Sequence, residues 1–443
     1  MRPLILGLCL LMTLPAQAAQ PVEVVQSPLA GPVWALKDAN TNIIAVELSF
    51  AGGISTDTAD KAGRTSLMSG LLSRGAGDLD AAAFARALKD NAVSLSVDIG
   101  RDEAILRLSA PVARWDKALS LLNDVITRPH FDEHDFQQAR AENIAAVKSQ
   151  SADPGWQAQR LVNGLVFEGS AYAQPGMGSV GSLNRLTRAD MVAAHKAIFG
   201  FAPRSAVFVG NADPMRMQSV LDVFAKMPPA PVSDKTGDWR KMAPALQVFH
   251  AYDVPQASVL YIVPGLQVDD PDFAALSVLD ALLADGFGSR LMKAVREDSG
   301  LSYGISSGLA NADHGALWQF SLSAPSGKID LVAGKIRAVL ADASKTPFTD
   351  KEVKDTAESL AARLPMGWTS SANIAAQLGA AQRDGWGPDY LDAWAARLRA
   401  VRPADLTRVA QRLLDGKTGL MAVVGRDVPS ADWTTVPVLP GLN

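Results

Sequence analysis

Cysteine is all but missing from this chain of 443 residues: the single one, Cys9, lies in the apolar N-terminal segment. With that segment removed there is no disulfide, no thiolate nucleophile and no cysteine metal ligand. Histidine is scarce, at five residues. After the N-terminal segment no apolar run is long enough to cross a bilayer. No charge sign dominates either, since 42 basic and 46 acidic side chains leave a net charge of −4. That balance excludes a nucleic-acid surface and does not specify a basic partner. What is present is globular. Apolar residues make up 48% and charged residues 20%, which excludes a disordered or fibrous chain. The length predicts about two to four domains.

The N-terminus reads as a targeting segment. Arg2 supplies a positive start, Leu4 to Leu14 an apolar run, and Ala16-Gln17-Ala18 a small-x-small cleavage signal. Residues 1–19 are read as a removed secretory signal, and the mature protein as exported, in a bacterial periplasm. Loss of Arg2 makes the mature net charge about −5.

The chain then repeats itself once, at a spacing of about 215 residues. Ile43 to Phe50 alternates as a strand, breaks at Gly52-Gly53 and leads into a helix from about Gly63 to Arg74. Ser258 to Val263 does the same, breaking at Pro264-Gly265 before a helix over Asp272 to Ala284. Pro129-His130-Phe131 and Thr346-Pro347-Phe348 each open a long helix. Ala206–Gly210 and Met421–Gly425 each close as a strand on an Asp/Pro turn. The segment Met227 to Gly237, with three prolines, reads as a linker. The domains are therefore drawn as 20–230 and 241–443, joined by a linker over 231–240. Each contains hairpin-like strand pairs, such as Ala92–Ile99 with Glu103–Ser109. Antiparallel sheets with helices packed on one face make the fold class α+β.

The most distinctive stretch runs from Gly286-Phe287-Gly288-Ser289-Arg290-Leu291 through Arg296-Glu297 to Gly300-Leu301-Ser302-Tyr303. It resembles the second-domain signature of the insulinase (pitrilysin) zinc peptidases, which include the mitochondrial processing peptidases. The resemblance covers most of the mature chain and implies a processing-peptidase-like fold, two such domains forming half of a clamshell around a peptide-degrading chamber. Active members carry an inverted His-x-x-Glu-His motif on the first helix: two imidazoles one turn apart bind zinc, and the glutamate activates water. A second glutamate about 76 residues further on completes the site. Here the matching positions are Ser66, Ser69, Gly70 and Ala146. Hydroxyls, a hydrogen and a methyl cannot replace imidazoles and carboxylates on a divalent transition metal. Ser66, Ser69 and Gly70 still form one small helical face, expected to let another backbone approach.

A literal His-x-x-Glu-His does occur, at His130-Phe131-Asp132-Glu133-His134. It lies about 64 residues too late, and Gly210 stands where the third ligand belongs. The matching stretch of the second repeat, Thr349-Asp350-Lys351-Glu352, reads as a capping box. Asp132 is then the N-cap, His130 precedes the helix and His134 falls in its first turn, so the rings do not share a face. His195, His250 and His314 are scattered. Trp156, Trp368, Trp386 and Trp394 form no periodic stripe and are read as core.

Arg296 and Tyr303 flank Gly300, where a helix should end and a strand begin. Alone they read as a surface arginine and a core tyrosine. The resemblance implies that they hold substrate near zinc and stabilise the oxyanion. Gly286 and Gly288 are read as substrate-binding positions, since lack of a side chain permits positive φ and close backbone approach, with a plain helix-breaking turn as the equal alternative. Arg290 is read as structural support for that loop. Some bacterial members of the family divide the zinc motif and the Arg–Tyr pair between two chains. The expectation is therefore a subunit without its own cofactor, inactive alone. It would complete the chamber of a heterodimer whose zinc lies in a partner of the same family, with a peptide as substrate. A peptide-holding or chaperone-like homodimer is the second reading. A zinc peptidase built on His130 and His134 is the third.

Overall fold

The structure, a computed structural model, describes residues 21–229, 246–286, 288–414 and 419–441. The segments read as signal (1–19) and linker (231–240) lie outside the described residues. The first half contributes β1 (Glu23–Ser27), β2 (Gly31–Lys37), β3 (Ile43–Ala51), the short hairpin β4 (Gly75–Ala76) and β5 (Leu79–Asp80), β6 (Ser94–Ile99), β7 (Glu103–Pro111) and β8 (Ser205–Gly210). Its helices are α1 (Arg64–Leu71), α2 (Ala81–Asp90), α3 (Trp115–Thr127), α4 (Glu133–Gln150), α5 (Pro154–Val166), α6 (Val180–Arg185), α7 (Arg188–Phe199) and α8 (Pro214–Ala225). The second half contributes β9 (Leu246–Ala251), β10 (Gln256–Pro264), β11 (Ile305–Ala312), β12 (Gly315–Pro325), β13 (Leu420–Gly425) and β14 (Thr434–Thr435). With them come α9 (Phe273–Ala284), α10 (Arg290–Met292), α11 (Ile329–Ala343), α12 (Asp350–Arg363), α13 (Ser371–Arg383), α14 (Tyr390–Arg399) and α15 (Pro403–Leu413).

The strand orders are β1-β2-β8-β3-β7-β6 and β14-β9-β13-β10-β12-β11. The repeat seen in sequence is thus a repeat in space, with β3 answering β10 and β8 answering β13. Pairing is antiparallel except where β8 meets β2 and where β9 meets β13 and β14. Each half packs helices on one face of its own sheet. In the first, Ile44, Val46, Leu48 and Phe50 of β3 turn toward α1, α3 and α7. Phe50 stacks edge-on with Phe199, 5.2 Å between centroids. In the second, Trp318 and Phe320 fill the same layer, and the Trp318 indole donates to Asp280 at 2.6 Å.

The opposite face of each sheet is covered by a single helix from the other half. Helix α5, started by the Asp153 cap and Pro154, lays Ala158, Leu161 and Val162 against Val248, Leu260, Ile262 and Ala422. Its counterpart α13 lays Ala375, Leu378 and Ala381 against Trp34, Leu36, Ala45 and Val207. The polar side of β3 is therefore buried as well. Glu47, fully buried, accepts from Arg107 at 2.8 Å and from Arg383 of α13 at 2.7 Å. Arg383 also reaches Glu103 at 2.9 Å, whose carboxyl burial pushes up.

Several readings from sequence are corrected by packing. Trp156, Trp368, Trp386 and Trp394 are half-buried; the buried tryptophans include Trp34, Trp115 and Trp318. Trp386 and Trp394 meet edge to face at 5.4 Å with Arg397 over both, which fills a helix–helix corner. Arg290 does not support the loop before it: its guanidinium lies 4.1 Å over Phe348 and 3.6 Å from Glu352, bracing the start of α12.

His195 is buried between Phe131 and Phe199, and its Nε2 has no hydrogen-bond partner. Burial lowers its pKa from 6.5 to about 4. A depressed histidine pKa means that the unfolded chain takes up a proton the folded chain refuses. Its contribution is intact above pH 6.5 and is lost as pH falls toward 4, by about 2 kcal/mol between pH 6.5 and 5. Urea midpoints at pH 7.5 and 5.0 should show this decline, and His195→Gln should reduce it. An equal decline in the variant would place its source elsewhere.

Candidate functional site

Helix α1 is set by the loop before it. Gly63, with φ of 89°, turns the chain, and buried Asp57 accepts from the Thr65 amide at 3.2 Å and from the Arg64 and Thr65 side chains. Burial raises the Asp57 pKa, against the pull of Thr65 and Arg64. On the face so presented, Ser66 donates to Gly176 O at 2.8 Å and Ser69 to Val97 O. The expected backbone approach holds for the two serines only: a Cβ at Gly70 would meet nothing within 4 Å. The face instead borders a cavity of about 270 Å³ lined by Ser66, Ile99, Trp156 and Gly176. Ala146 stands on α4, which packs against α1. Room for a histidine exists, but the groups present are two hydroxyls already spent on carbonyls, a hydrogen and a methyl. Zinc does not fit that set.

The literal motif is also unfit. Asp132 is the N-cap of α4, though without the capping hydrogen bond that Thr349 and Glu352 make at α12. His130 precedes the helix and its Nε2 sits 2.7 Å from Gly77 O, while His134 is exposed in the first turn. The two rings serve different surroundings. Among the described residues, no group of three or more His, Cys, Asp or Glu is arranged to hold a metal ion.

Arg296 and Tyr303 lie in the other half on one turn. After α10 the chain widens into a π-helical turn, Lys293–Glu297, a form common at functional sites. Leu301 N and Ser302 N both bond to Val295 O, at 2.9 and 3.1 Å, and Gly300 takes φ of 57°. This reversal folds the stretch carrying Tyr303 back beside the one carrying Arg296. Val295 and Leu301 anchor it in the core, and both Arg296 and Tyr303 project outward. The reading of Tyr303 as core fails outright, since it is 93% exposed. The strand β11 begins later than expected, at Ile305. Gly286 has the positive φ its position suggested, at 80°, but a Cβ at Gly286 or Gly288 would meet nothing within 4 Å. Both positions therefore face open space on this chain, which neither supplies nor blocks a substrate contact.

Beside Tyr303, Gly304 opens a trough of about 570 Å³ walled by the hydroxyls of Ser258, Ser306, Ser321 and Ser323. Gly155 of α5 lines this trough and Trp156 lines the cavity at α1. Both spaces therefore border the first turn of α5. Sequence reasoning passed over these serines, of which only Ser321 and Ser323 share a strand and alternate along it; Ser258 and Ser306 come from β10 and β11.

Two homologous α+β layers, a vacated zinc helix and an exposed Arg–Tyr turn define a processing-peptidase-like fold. Comparisons agree. The profile described as insulinase (peptidase family M16) matches residues 33–173, and that of the peptidase M16 inactive domain matches residues 185–360. The Helicobacter pylori protein named non-peptidase homolog YmxG is 24% identical over 271 residues, 59% of this chain and 60% of that protein. An uncharacterized zinc protease of Streptomyces coelicolor is 26% identical over 318 residues, 70% of this chain and 68% of its own. Among solved structures, a peptidase M16 inactive domain from Pseudomonas fluorescens superposes with a TM-score of 0.84 at 22% identity, over 94% of this chain and 99% of that one. The periplasmic protease PqqL of Escherichia coli gives 0.78 at 15% identity, over 92% of this chain but 46% of that one. The chain belongs to the insulinase peptidase family, in a form that lacks its zinc motif.

Proposed function

We propose that this chain is the zinc-less subunit of an exported heterodimeric zinc metallopeptidase. It completes a peptide-degrading chamber and offers Arg296 and Tyr303 to substrate held at a partner's zinc. The observation that carries this reading is the paired loss and retention: no ligand remains on α1, while Tyr303 stands 93% exposed on a turn anchored by Val295 and Leu301. A tyrosine kept out of the core on a braced turn has chemistry to offer rather than packing. The 46% coverage of the longer periplasmic protease is compatible with it, since more than half of that chain lies beyond the shared fold.

The strand orders favour a second reading. Edge strands β6 and β11 each pair on one side only, so extended peptide could add to either edge in a non-hydrolytic peptide-binding or chaperone-like homodimer. One series of measurements separates the readings. The purified mature chain, dialysed against a weak chelator, should hold close to no zinc, with or without His130→Ala. Mixed with a zinc-bearing member of the same family, it should produce cleavage of a fluorogenic peptide that neither chain gives alone. A mixture no faster than its parts would favour the binding protein. Near one zinc per chain, lost in His130→Ala, would make the chain an enzyme in its own right.

A further inference from the structure

A groove of about 780 Å³ lies between α4 and the junction of α6 with α7, and shares no lining residue with the cavity or the trough. Three guanidiniums line it: Arg140, Arg185 and Arg188. Each holds a backbone carbonyl, of Leu186, Asp60 and Phe131 respectively. A guanidinium has about five donors, so most of each fork is left over. Among the described residues none of the three has a carboxylate within ion-pair distance. Elsewhere arginines are paired, as in Arg74–Glu142, Arg399–Glu358 and Arg412–Asp270. The one carboxylate lining the groove, Glu133, already accepts from Gln137 at 2.6 Å. Asp190 below is taken by Lys61 and Thr187.

A chain of net charge −4 thus gathers three positive charges in one groove with Leu186 and Val192, none in an ion pair: Arg140 has only neutral partners, Gln137 and the Phe136 ring besides its carbonyl, and Arg185 is offset only at longer range by Asp60. Stapling a carbonyl needs one N–H and no charge, so converging three cations is not explained by the staples. Their mutual repulsion is relieved by an anionic occupant, and planar forks match carboxylates two bonds at a time. The apolar floor asks for side chains between those carboxylates. No exposed aromatic ring lines the groove, which argues against nucleic-acid bases. We infer that this groove is a docking site for an acidic peptide segment with interspersed aliphatic residues, on a partner protein and apart from the peptide-processing face.

The test uses the full mature chain and a fluorescein-labelled peptide of four Glu-Glu-Leu repeats, with its Lys-Lys-Leu counterpart and a labelled oligothymidylate as controls. Anisotropy should show binding of the Glu peptide alone, weakening as salt rises. Two kinds of variant should weaken it about 10-fold or more. Arg140→Gln with Arg188→Gln removes charge. Ala189→Glu leaves every arginine in place and puts a carboxylate at an exposed first-turn position that a helix tolerates well. Failure of the Glu peptide to bind, equal binding of the Lys peptide, tighter binding of the oligonucleotide, or unchanged affinity in Ala189→Glu would each overturn the assignment.

Discussion

Replacing Tyr303 or Arg296 by alanine is expected to lower peptide turnover of the proposed heterodimer by about 10²-fold, the loss usual when an oxyanion donor is removed. The isolated chain should melt at an unchanged temperature, because Tyr303 is 93% exposed and the turn is held by Val295, Leu301 and backbone bonds to the Val295 carbonyl. Loss of activity without loss of stability is what separates a chemical role from a structural one. Tyr303→Phe sharpens the point, since it removes only the hydroxyl. If that group donates to the oxyanion, kcat should fall nearly as far as in the alanine variant while KM moves little. Arg296→Lys keeps the charge and loses the fork, so it should recover part of the activity lost in alanine. Turnover unchanged in both alanine variants would remove the pair from the reaction.

The largest effect on stability is expected at the contact between the halves. Arg383→Ala should destabilise the chain by about 3 to 5 kcal/mol, read as a lower urea midpoint. Glu47 is fully buried and would keep Arg107 but lose the second cation, and Glu103 would lose its partner too. The cost comes mainly from stranding charge, not from deleting a contact. Glu47→Gln combined with Arg383→Met should therefore recover much of the loss, because removing both charges spares the desolvation that removing one exposes. A single-variant loss below about 1 kcal/mol would mean that water reaches Glu47 and that α13 is held by its apolar face alone.

The repeat was readable because it is written in local signals: strand, glycine break, helix, and capped helix start fall in the same order twice. The vacated zinc site was readable because a missing imidazole is a fact of sequence. The covering of each sheet by the other half's helix was not. The apolar stripes of α5 and α13 say that one face is buried, but Ala158, Leu161 and Val162 would suit either sheet equally. Tyr303 was misplaced for a related reason: a tyrosine before a strand is usually core, and only the reversal on Val295 turns it outward. The arginine groove escaped entirely, since Arg140 and Arg188 come from separate helices and meet only through tertiary packing.

The crossing of α5 and α13 gives the chain the logic of a helix-swapped pair tethered into one polypeptide. Each half exports the lid that its sister requires and cannot seal itself. A lone half would expose Trp34, Leu36 and Val207 in one case, or Val248, Leu260 and Ile262 in the other. Either surface is an adhesive patch for a second copy. Joining two such units in one chain lets each arm supply the other's cover while their sequences differ. Here one arm carries α1 without metal ligands and the other carries the turn with Arg296 and Tyr303. The whole chain should therefore unfold in one cooperative transition, and neither arm expressed alone should give a stable monomer, which urea melts of the chain and of each arm would check.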